Sequence, residues 1–340
     1  DLARRCEAVR LMQLPDYYLS YAEKLLSDPD GMLVAAFRRD SALVAVLPLQ
    51  FTVRKKFGVS FNIVEFPATP TPIREFVALD GLSVADLIAC LKTRFEAVFG
   101  KAVDMLRLSG FTVSDFEEFQ ASAGSGISSV SNIGKNNYIQ LTDGDYVQEE
   151  LSSNMRSNLR RRRKRLDKLG AAEFKTVTEL PELNSAFDAF VETEAAGWKS
   201  QRGGKRALKL NEDQQSFYRD LATRFAKTGR CHIHLLTLDG NAIASDFCLA
   251  SGNTVSSLKH GYDEQFTDVT PSNLLREYTL EYYARDDTID VIDLVSGYAW
   301  QDRWKPNHRS VCLARDFNRT FRGQLLRLIT SLRELTARNK

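Results

Sequence analysis

The stretch SLKHGYDEQFTDVTPSNLLREY, Ser257–Tyr278, decides the fold. A strand-like run ends in a polar loop, and a helix opens at Thr270-Pro271, because proline suits the first position of a helix. A helix start presents unpaired backbone N–H groups and partial positive charge, so it can bind a phosphate. Ser272 and Asn273 are small enough to let a ligand approach that backbone. Alternatively, the Thr270 side chain caps the helix, and the stretch alone leaves both interpretations open.

The composition is that of a globular protein, and 340 residues suggest two domains. With 43% hydrophobic and 26% charged residues, the chain is neither disordered nor fibrous. No apolar run reaches the ~18 residues of a membrane span, so none is expected. Five scattered cysteines without CxxC spacing favour free thiols in the reducing cytoplasm over disulfides or a zinc site, and no metal is expected.

The net charge of +2 conceals a local asymmetry. The segment Arg156–Lys168 carries eight basic residues and one acid, a charge of +7, so the rest of the chain carries −5, the difference between +2 and +7. This segment predicts one helix, and one interpretation is that Arg156, Arg160 or Arg163, which share a face, contacts phosphates. The alternative is an ordinary solvated helix face.

The order of elements is clearest in the C-terminal half. Three predicted strands, at 231–238, 242–250 and 254–260, are joined by turns containing Gly240 and Gly252. A helix from Pro271 to about residue 284 follows, and then a buried strand at 289–295. Because a crossover helix normally joins parallel neighbouring strands, we expect the third strand of this meander to lie parallel to the strand after the helix.

The N-terminal half repeats the same order. Residues 32–51 predict two strands, 61–66 a third, 83–99 an amphipathic helix and 103–108 another strand. This echo suggests a structural duplication. We predict an α/β protein with two domains, 1–145 and 146–340, each with a mixed central sheet and flanking helices.

Three segments resemble a known group of proteins. They are ETEAAGWKSQRGGKRAL (192–208), FYRDLATRFAKTGRCHIHLLTLDGNAIASDFCLASG (217–252) and LKHGYDEQFTDVTPSNLL (258–275). They are similar to the Fem-type double-domain proteins and to the bacterial acyltransferases called cellulose-biosynthesis-associated or BioF2-like, which share the GCN5-related N-acyltransferase (GNAT) fold. The similarity covers roughly residues 138–304 and implies tandem GNAT folds, the second carrying the acyl-CoA site.

The resemblance also implies where the donor binds. The pyrophosphate of acetyl-CoA or another acyl-CoA would lie on the helix start, at the five residues Thr270, Pro271, Ser272, Asn273 and Leu274. Relatives usually have Ser-Pro-Gly where this chain has Thr270-Pro271-Ser272. Many also have a Tyr-Lys pair where Trp300-Gln301 stands here, which puts that lysine's role in doubt.

Acyl transfer to an amine needs a base for the ammonium proton and an acid for the leaving thiolate. His260, Tyr262 and Asp263 follow the third meander strand, beside the expected cleft, with Tyr262 the favoured acid. Glu194 is a candidate base on the acceptor side. The alternative for the first three is that they are polar residues at the end of a strand.

Further candidates would contact the acceptor. Trp198 and Lys199 would shape its pocket, unless Trp198 only covers the core. Asp246 lies among apolar strand residues and faces either the cleft or solvent. Asp293 is either a base or a cap for the next turn. The remaining substrate-binding candidates are Trp300, Gln301, Arg156 and Arg160. His232 and His234 share one strand face, which we expect to be exposed.

The sequence therefore predicts a cytoplasmic N-acyltransferase that moves an acetyl or longer acyl group from CoA to a small-molecule or glycan-linked amine. The resemblance implies cell-envelope or exopolysaccharide metabolism. One alternative is Fem-type transfer from an aminoacyl-tRNA to a peptidoglycan precursor; otherwise no nucleic acid is expected. Another is a degenerate fold that serves as a binding protein in a polysaccharide complex. The sequence leaves the oligomeric state open.

Overall fold

The computed structural model describes residues 2, 10–27, 31–79, 82, 84–100, 102–123, 127–142, 144–197 and 207–338. Its strands are β1 (Met32–Arg39), β2 (Ala42–Lys56), β3 (Val59–Glu65), β4 (Val77–Ala78), β5 (Met105–Val113), β6 (Ser129–Gln140), β7 (Ala172–Val177), β8 (Cys231–Leu238), β9 (Asn241–Ser251), β10 (Thr254–Tyr262), β11 (Val291–Asp293) and β12 (Asn307–Phe317). Its α-helices are α1 (Pro15–Lys24), α2 (Val84–Phe99), α3 (Phe116–Ala123), α4 (Tyr146–Glu149), α5 (Ser153–Leu166), α6 (Leu180–Ala195), α7 (Glu212–Ala226), α8 (Pro271–Tyr283) and α9 (Phe321–Arg338). Across these ranges, every helix is too short or too polar to span a bilayer.

Contacts between Cα atoms divide the chain into two compact units. Unit 1 contains Asp1–Glu7, Leu26–Lys135 and Arg309–Lys340, and unit 2 contains Ala8–Leu25 and Asn136–His308. This division differs from the single boundary near residue 145 that the sequence predicts. The difference arises from long-range pairing, which local sequence signals do not carry.

Two segments account for that difference. In unit 1, β12 pairs antiparallel with β5, from Ser310↔Val113 to Phe317↔Met105. In unit 2, α1 packs on α7, where the rings of Tyr17 and Phe217 meet edge to face with centroids 5.7 Å apart. Ser20 Oγ donates a hydrogen bond to Asp220 Oδ2 over 2.7 Å at the same contact. Each segment therefore belongs to the unit that its side chains help to bury.

Unit 1 has the strand order β1-β2-β3-β5-β12, with β4 paired to β2. The first three strands form an antiparallel meander, and β3 and β5 are parallel. Side chains alternate between the two faces of the sheet. Val64 and Leu106 lie on the face covered by α2 and α3, whereas Phe61 and Ile63 lie on the face covered by α9. This is the predicted order of strand meander, helix and parallel strand.

Unit 2 has the strand order β6-β11-β10-β9-β8-β7, in which β6 contributes its last residues, from Asn136 to Gln140. Strands β7 to β10 are antiparallel, and their hairpin turns contain Gly240 (φ +82°) and Gly252 (φ +56°), a backbone conformation that glycine adopts without strain. Helix α8 connects β10 to the parallel strand β11. Phe187, Phe190 and Phe247 pack together between α6 and one face of the sheet, while α8 covers the other face. The predicted meander and crossover are confirmed.

Candidate functional site

Parallel strands β10 and β11 pair over only three residues. The register runs from Thr254↔Val291 to Ser256↔Asp293, where β11 ends, whereas β10 continues to Tyr262. A bulge between Ser257 and Lys259 interrupts the pairing of β10 with β9 just beyond this point. The last part of β10 therefore runs on without β11 beside it, toward the start of α8.

The start of α8 is not capped by a side chain. Thr270 has left-handed backbone angles (φ 45°, ψ 62°), and its hydroxyl makes no capping hydrogen bond, so the alternative that Thr270 caps the helix is wrong. Its carbonyl instead accepts from the N–H groups of Asn273 (2.9 Å) and Leu274 (3.4 Å). Pro271 has no N–H, and the Ser272 N–H has no acceptor within the described part of the chain. With no acidic residue in its first turn, this helix end is electrostatically suited to an anion.

A small cavity lies between the start of α8, strands β9 and β10, and the 3₁₀ helix Ala299–Trp304. The volume of this cavity is about 20 Å³. Its mouth is formed by partly exposed residues of β10, α8 and the 3₁₀ helix, namely His260, Ser272, Asn273 and Trp300. Its deep end is formed by the buried side chains of Asp246, Arg276 and Trp304. The cavity thus leads inward from the uncapped helix start.

A buried ion pair holds the deep end of this cavity. Arg276 Nη2 lies 3.0 Å from Asp246 Oδ2 and donates to Ser257 Oγ over 2.9 Å. Ser257 Oγ in turn donates to Asp246 Oδ1 over 2.7 Å. A buried charge requires a partner, because removing it from water is costly. Asp246 borders the cavity, which agrees with one of its two predicted orientations. Arg276, its partner, is a residue of the candidate site that sequence reasoning missed.

His232 and His234 were expected on an exposed face, and this prediction is wrong. Helix α8 covers that face of the sheet, so His232 is 7% exposed and His234 is fully buried. The Tyr283 hydroxyl lies 2.8 Å from both His232 Nδ1 and His234 Nε2, and Thr176 Oγ1 lies 2.8 Å from His234 Nδ1. Burial lowers the pKa of both imidazoles, that of His234 well below its usual value. Neutral rings that share a tyrosine hydroxyl form part of the core.

Of the residues predicted for proton transfer, His260 alone borders the cavity. Its half-buried ring meets Trp300 edge on, with centroids 5.0 Å apart. Tyr262 packs on the apolar core of unit 2. Asp263 Oδ1 accepts from the Gln265 N–H over 2.9 Å and so caps the 3₁₀ helix Glu264–Val269. That role matches the alternative interpretation of Asp263, a polar residue that ends a strand.

Glu194 is buried beneath the end of β10. Its Oε2 accepts from the Leu208 N–H over 2.9 Å, and its Oε1 lies 3.9 Å from Lys259 Nζ. Its backbone is so close to β10 that a Cβ added to Gly261 would lie 2.4 Å from Glu194 Cα. These contacts hold α6 against β10 and fix the position of the Glu194 carboxylate. The other two candidates near the end of α6, Trp198 and Lys199, lie outside the described residues.

Asp293 and Gln301 hold loops in place. Asp293 Oδ1 accepts from the Val295 N–H over 2.7 Å and from Asn136 Nδ2 over 3.0 Å, the turn-capping role expected as one alternative. Gln301 is 2% exposed; its Oε1 accepts from Asn137 Nδ2 and its Nε2 donates to Ser296 Oγ, both over 2.9 Å. Trp300 at the cavity mouth is 37% exposed. Contact with a substrate stays a prediction for these residues.

The basic segment forms helix α5, whose cations differ in availability. Arg156 Nη1 donates to the backbone carbonyls of Gln148 and Leu151, and Arg163 Nη2 lies 2.8 Å from Glu277 Oε2. Both are therefore occupied within the protein. Four other basic residues of this helix are exposed: Arg160, Arg161, Lys164 and Arg165. A polyanion could reach these four, and the predicted phosphate contact of Arg156 would require it to release its carbonyls.

A larger cavity, about 520 Å³, lies in unit 1. Its wall includes the ion pair between Lys92 and Asp316, with 2.9 Å between Lys92 Nζ and Asp316 Oδ2. None of the predicted site residues borders it, so size alone does not mark the site. Within the described ranges, no group of three histidine, cysteine, aspartate or glutamate side chains could hold a metal ion.

Comparison with known proteins identifies this architecture. Residues 153–306 match the sequence model of a family described as "Acetyltransferase (GNAT) domain". No curated protein sequence matches the chain. The match to the family model lies within unit 2, which therefore contains a GNAT domain.

Among solved structures, the chain resembles FemX with a TM-score of 0.66 at 12% identity, covering 96% of each chain. It resembles a conserved protein of unknown function from Bacteroides thetaiotaomicron with a TM-score of 0.58 at 11% identity, covering 94% of this chain and 98% of that one. For L-PGS from Bacillus licheniformis the values are 0.53, 12%, 95% and 99%. The expected fold is confirmed: the chain has the fold of FemX and of these other solved structures over nearly its whole length.

Proposed function

We propose that the protein is an N-acyltransferase that moves an acyl group from a CoA thioester to an amine. The observation that carries this proposal is the uncapped start of α8 beside the strand opening between β10 and β11. The Ser272 N–H and the positive end of the helix dipole suit a pyrophosphate. The unpaired stretch of β10 would bind the linear arm of the donor, and the thioester would reach the cavity mouth.

The side chains at the mouth would then serve the chemistry. The amine attacks the thioester carbonyl, the C–N bond forms, and the C–S bond breaks as the thiolate leaves. His260 at the mouth would take the ammonium proton, directly or through a water, and Tyr262 on the same strand would donate a proton to the thiolate. Asp246 is held by Arg276 and Ser257, so its part is to position the deep end of the cavity.

The acceptor would be a small-molecule or glycan-linked amine, and cell-envelope or exopolysaccharide metabolism and a cytoplasmic location remain part of the proposal. A second candidate is transfer from an aminoacyl-tRNA. The four exposed cations of α5 favour it, since they could contact a phosphate backbone. The two candidates differ in which donor binds alone.

Calorimetry with free CoA, acetyl-CoA and uncharged tRNA separates them. We expect CoA to bind and to protect the backbone amides of residues 272–275 from hydrogen exchange. Ser272→Asp places a carboxylate in the first turn of α8 and should abolish binding, whereas Ser153→Asp, in the first turn of α5, should leave it unchanged. Binding of tRNA without CoA would replace the proposal by the second candidate, and CoA protection elsewhere in the chain would remove the assignment to α8.

A further inference from the structure

Two hydrogen-bond donors at the deep end of the cavity lack acceptors. They are Arg276 Nη1 and Trp304 Nε1, and neither has a partner within the described part of the chain. The residues are 7% and 1% exposed. A buried polar atom without a partner costs free energy, and most such atoms in proteins are paired. Ser245, which also borders this cavity, has a buried Oγ without a partner in the described part of the chain, so three such atoms belong to its lining. Two of the three can only donate, and these two point to a missing acceptor.

The chemistry of the two donors defines that acceptor. A guanidinium and an indole N–H can only donate, so the missing group accepts hydrogen bonds. The Asp246–Ser257 contacts fix Nη2 of Arg276, and the planar guanidinium thereby fixes Nη1 as well. Because Asp246 already balances the charge of Arg276, a neutral oxygen suits the site. About 20 Å³ admits one or two atoms of that kind.

The position of the cavity indicates which part of a substrate enters it. Its mouth lies at His260 and the first turn of α8, and its deep end lies at Arg276 and Trp304. On the proposed function, the thioester stops at the mouth. The portion that continues inward is then the tail of the acyl group, because the nucleotide and the linear arm lie on the outer side of the thioester.

We propose that the deep end selects a short acyl group whose tail carries an oxygen, with Arg276 and Trp304 as the specificity-determining residues. This inference rests on the proposed function. An all-carbon tail would expel water from two donors and give them nothing in return. An α-ammonium, as in an aminoacyl group, would face a guanidinium and an N–H that can only donate.

The test is a matched pair of thioesters, glycolyl-CoA and propionyl-CoA, which differ by a hydroxyl in place of a methyl group. We expect glycolyl-CoA to bind about 10²-fold more tightly by calorimetry, since a site built for a hydroxyl rejects the analogue without it. Trp304→Phe should reduce the preference to about 10-fold, because it removes one of the two obligate donors and leaves Arg276 Nη1 and the Ser245 hydroxyl. The double replacement Asp246→Leu with Arg276→Met, which leaves no unpaired charge, should reduce it further, to a few-fold.

Controls separate the subsite from its premise. Thr279→Val removes a buried hydroxyl of α8 whose bond goes to the Arg276 carbonyl and which does not border the cavity, so it should keep the full preference. Free CoA should bind the parent and every variant alike. Normal binding of CoA with equal affinity for the two thioesters, or strongest binding of glycyl-CoA, overturns the subsite alone. Failure of free CoA to bind the parent overturns the proposed function and the subsite together.

Discussion

The two units share an order of elements but differ at the opening between their parallel strands. In unit 1, β3 and β5 pair from Ile63↔Met105 to Glu65↔Arg107. The chain then returns beside β5, where the Arg74 N–H donates to the Gly110 carbonyl over 2.9 Å. In unit 2, β10 and β11 also pair over three residues, but the corresponding place holds the cavity at α8.

The segment Pro67–Arg74 closes the opening of unit 1. Arg74 Nε donates to the Pro67 carbonyl over 2.8 Å, which folds the segment on itself. A Cβ at Gly110, whose φ is +97°, would lie 2.6 Å from the Pro72 carbonyl oxygen, so the segment and β5 are in close contact. At this position the same fold therefore holds its own chain in unit 1 and a cavity in unit 2. The difference supports the proposal that unit 2 carries the donor site.

The largest effect expected from this difference concerns catalysis. His260→Ala should lower kcat by roughly 10²–10⁴-fold with CoA affinity near normal, because a proton-transfer group stabilises the transition state more than the bound substrate. Tyr262→Phe should lower kcat for the same reason. Asp263→Asn keeps a cap for the 3₁₀ helix and should stay within a few-fold. Glu194→Gln tests whether the buried carboxylate acts as a base on the acceptor side.

Steady-state acyl transfer with melting temperatures measures these variants. Arg74→Ala in the closed segment of unit 1 is the matched control, and its kcat should change only a few-fold. If Arg74→Ala lowered kcat as much as His260→Ala, the contrast between the units would be lost. If all four unit 2 variants kept the parent kcat, proton transfer would run through other groups.

The next effect concerns the carboxylates near the two openings. Asp246→Ala leaves the buried guanidinium of Arg276 unpaired and should lower the free energy of unfolding by about 3–5 kcal/mol. Glu65→Ala, in unit 1, frees Arg54 and Arg107, whose side chains are 47% and 31% exposed and can be hydrated. Its expected cost is smaller, about 1–3 kcal/mol. Urea titrations compare the two, and equal losses would contradict the difference in burial.

A third expectation concerns pH, since all four histidines belong to unit 2. The pKa values of His232 and His234 are lowered by burial from the usual 6.5. Above pH 6.5 both the folded and unfolded states are neutral there. Below pH 6.5 these histidines bind protons in the unfolded state but stay neutral in the folded state. The free energy of unfolding therefore decreases as the pH is lowered, by up to about 1.4 kcal/mol per pH unit for each histidine.

Tryptophan fluorescence follows this loss in unit 2 alone, because Trp198, Trp300 and Trp304 all belong to it. Urea unfolding at pH 7 and pH 5 gives the slope. Replacing His232 and His234 together by glutamine should flatten the slope even where overall stability drops. A slope that persists in this double variant would assign the acid sensitivity to other groups.

The smallest effect concerns the basic helix. If α5 binds tRNA, replacing Arg160 and Arg161 by glutamine should lower the slope of log affinity against log salt by about 0.7–0.9 for each lost phosphate contact. Arg156→Gln is the matched control; Arg156 is bound to two carbonyls, so it should leave the slope unchanged. An unchanged slope for the Arg160 and Arg161 replacements would make α5 a solvated surface.

Much of the fold was predictable because its signals are local. Glycines with positive φ mark the hairpins of unit 2, and proline marks the start of α8. Both depend on a few neighbouring residues. The site was less predictable: His260, proposed from its place at the end of a strand, borders the cavity, whereas Asp263 caps the next helix and Arg276 was missed. The available signal was an arginine that directly follows Leu274 and Leu275 in a helix expected to pack on the sheet.

The sequence by itself determined the repeated order of elements, the meander and the helix start, because turn chemistry and hydrophobic periodicity act over short stretches. The resemblance to GNAT proteins came separately, from three matching segments. Tertiary structure alone decided which charges are buried, that Arg276 meets Asp246 thirty residues away, and that His232 and His234 lie under α8. It also decided that one opening is closed by its own chain while the other leads to a cavity. Burial and pairing depend on which distant segments come together, and no local pattern encodes that.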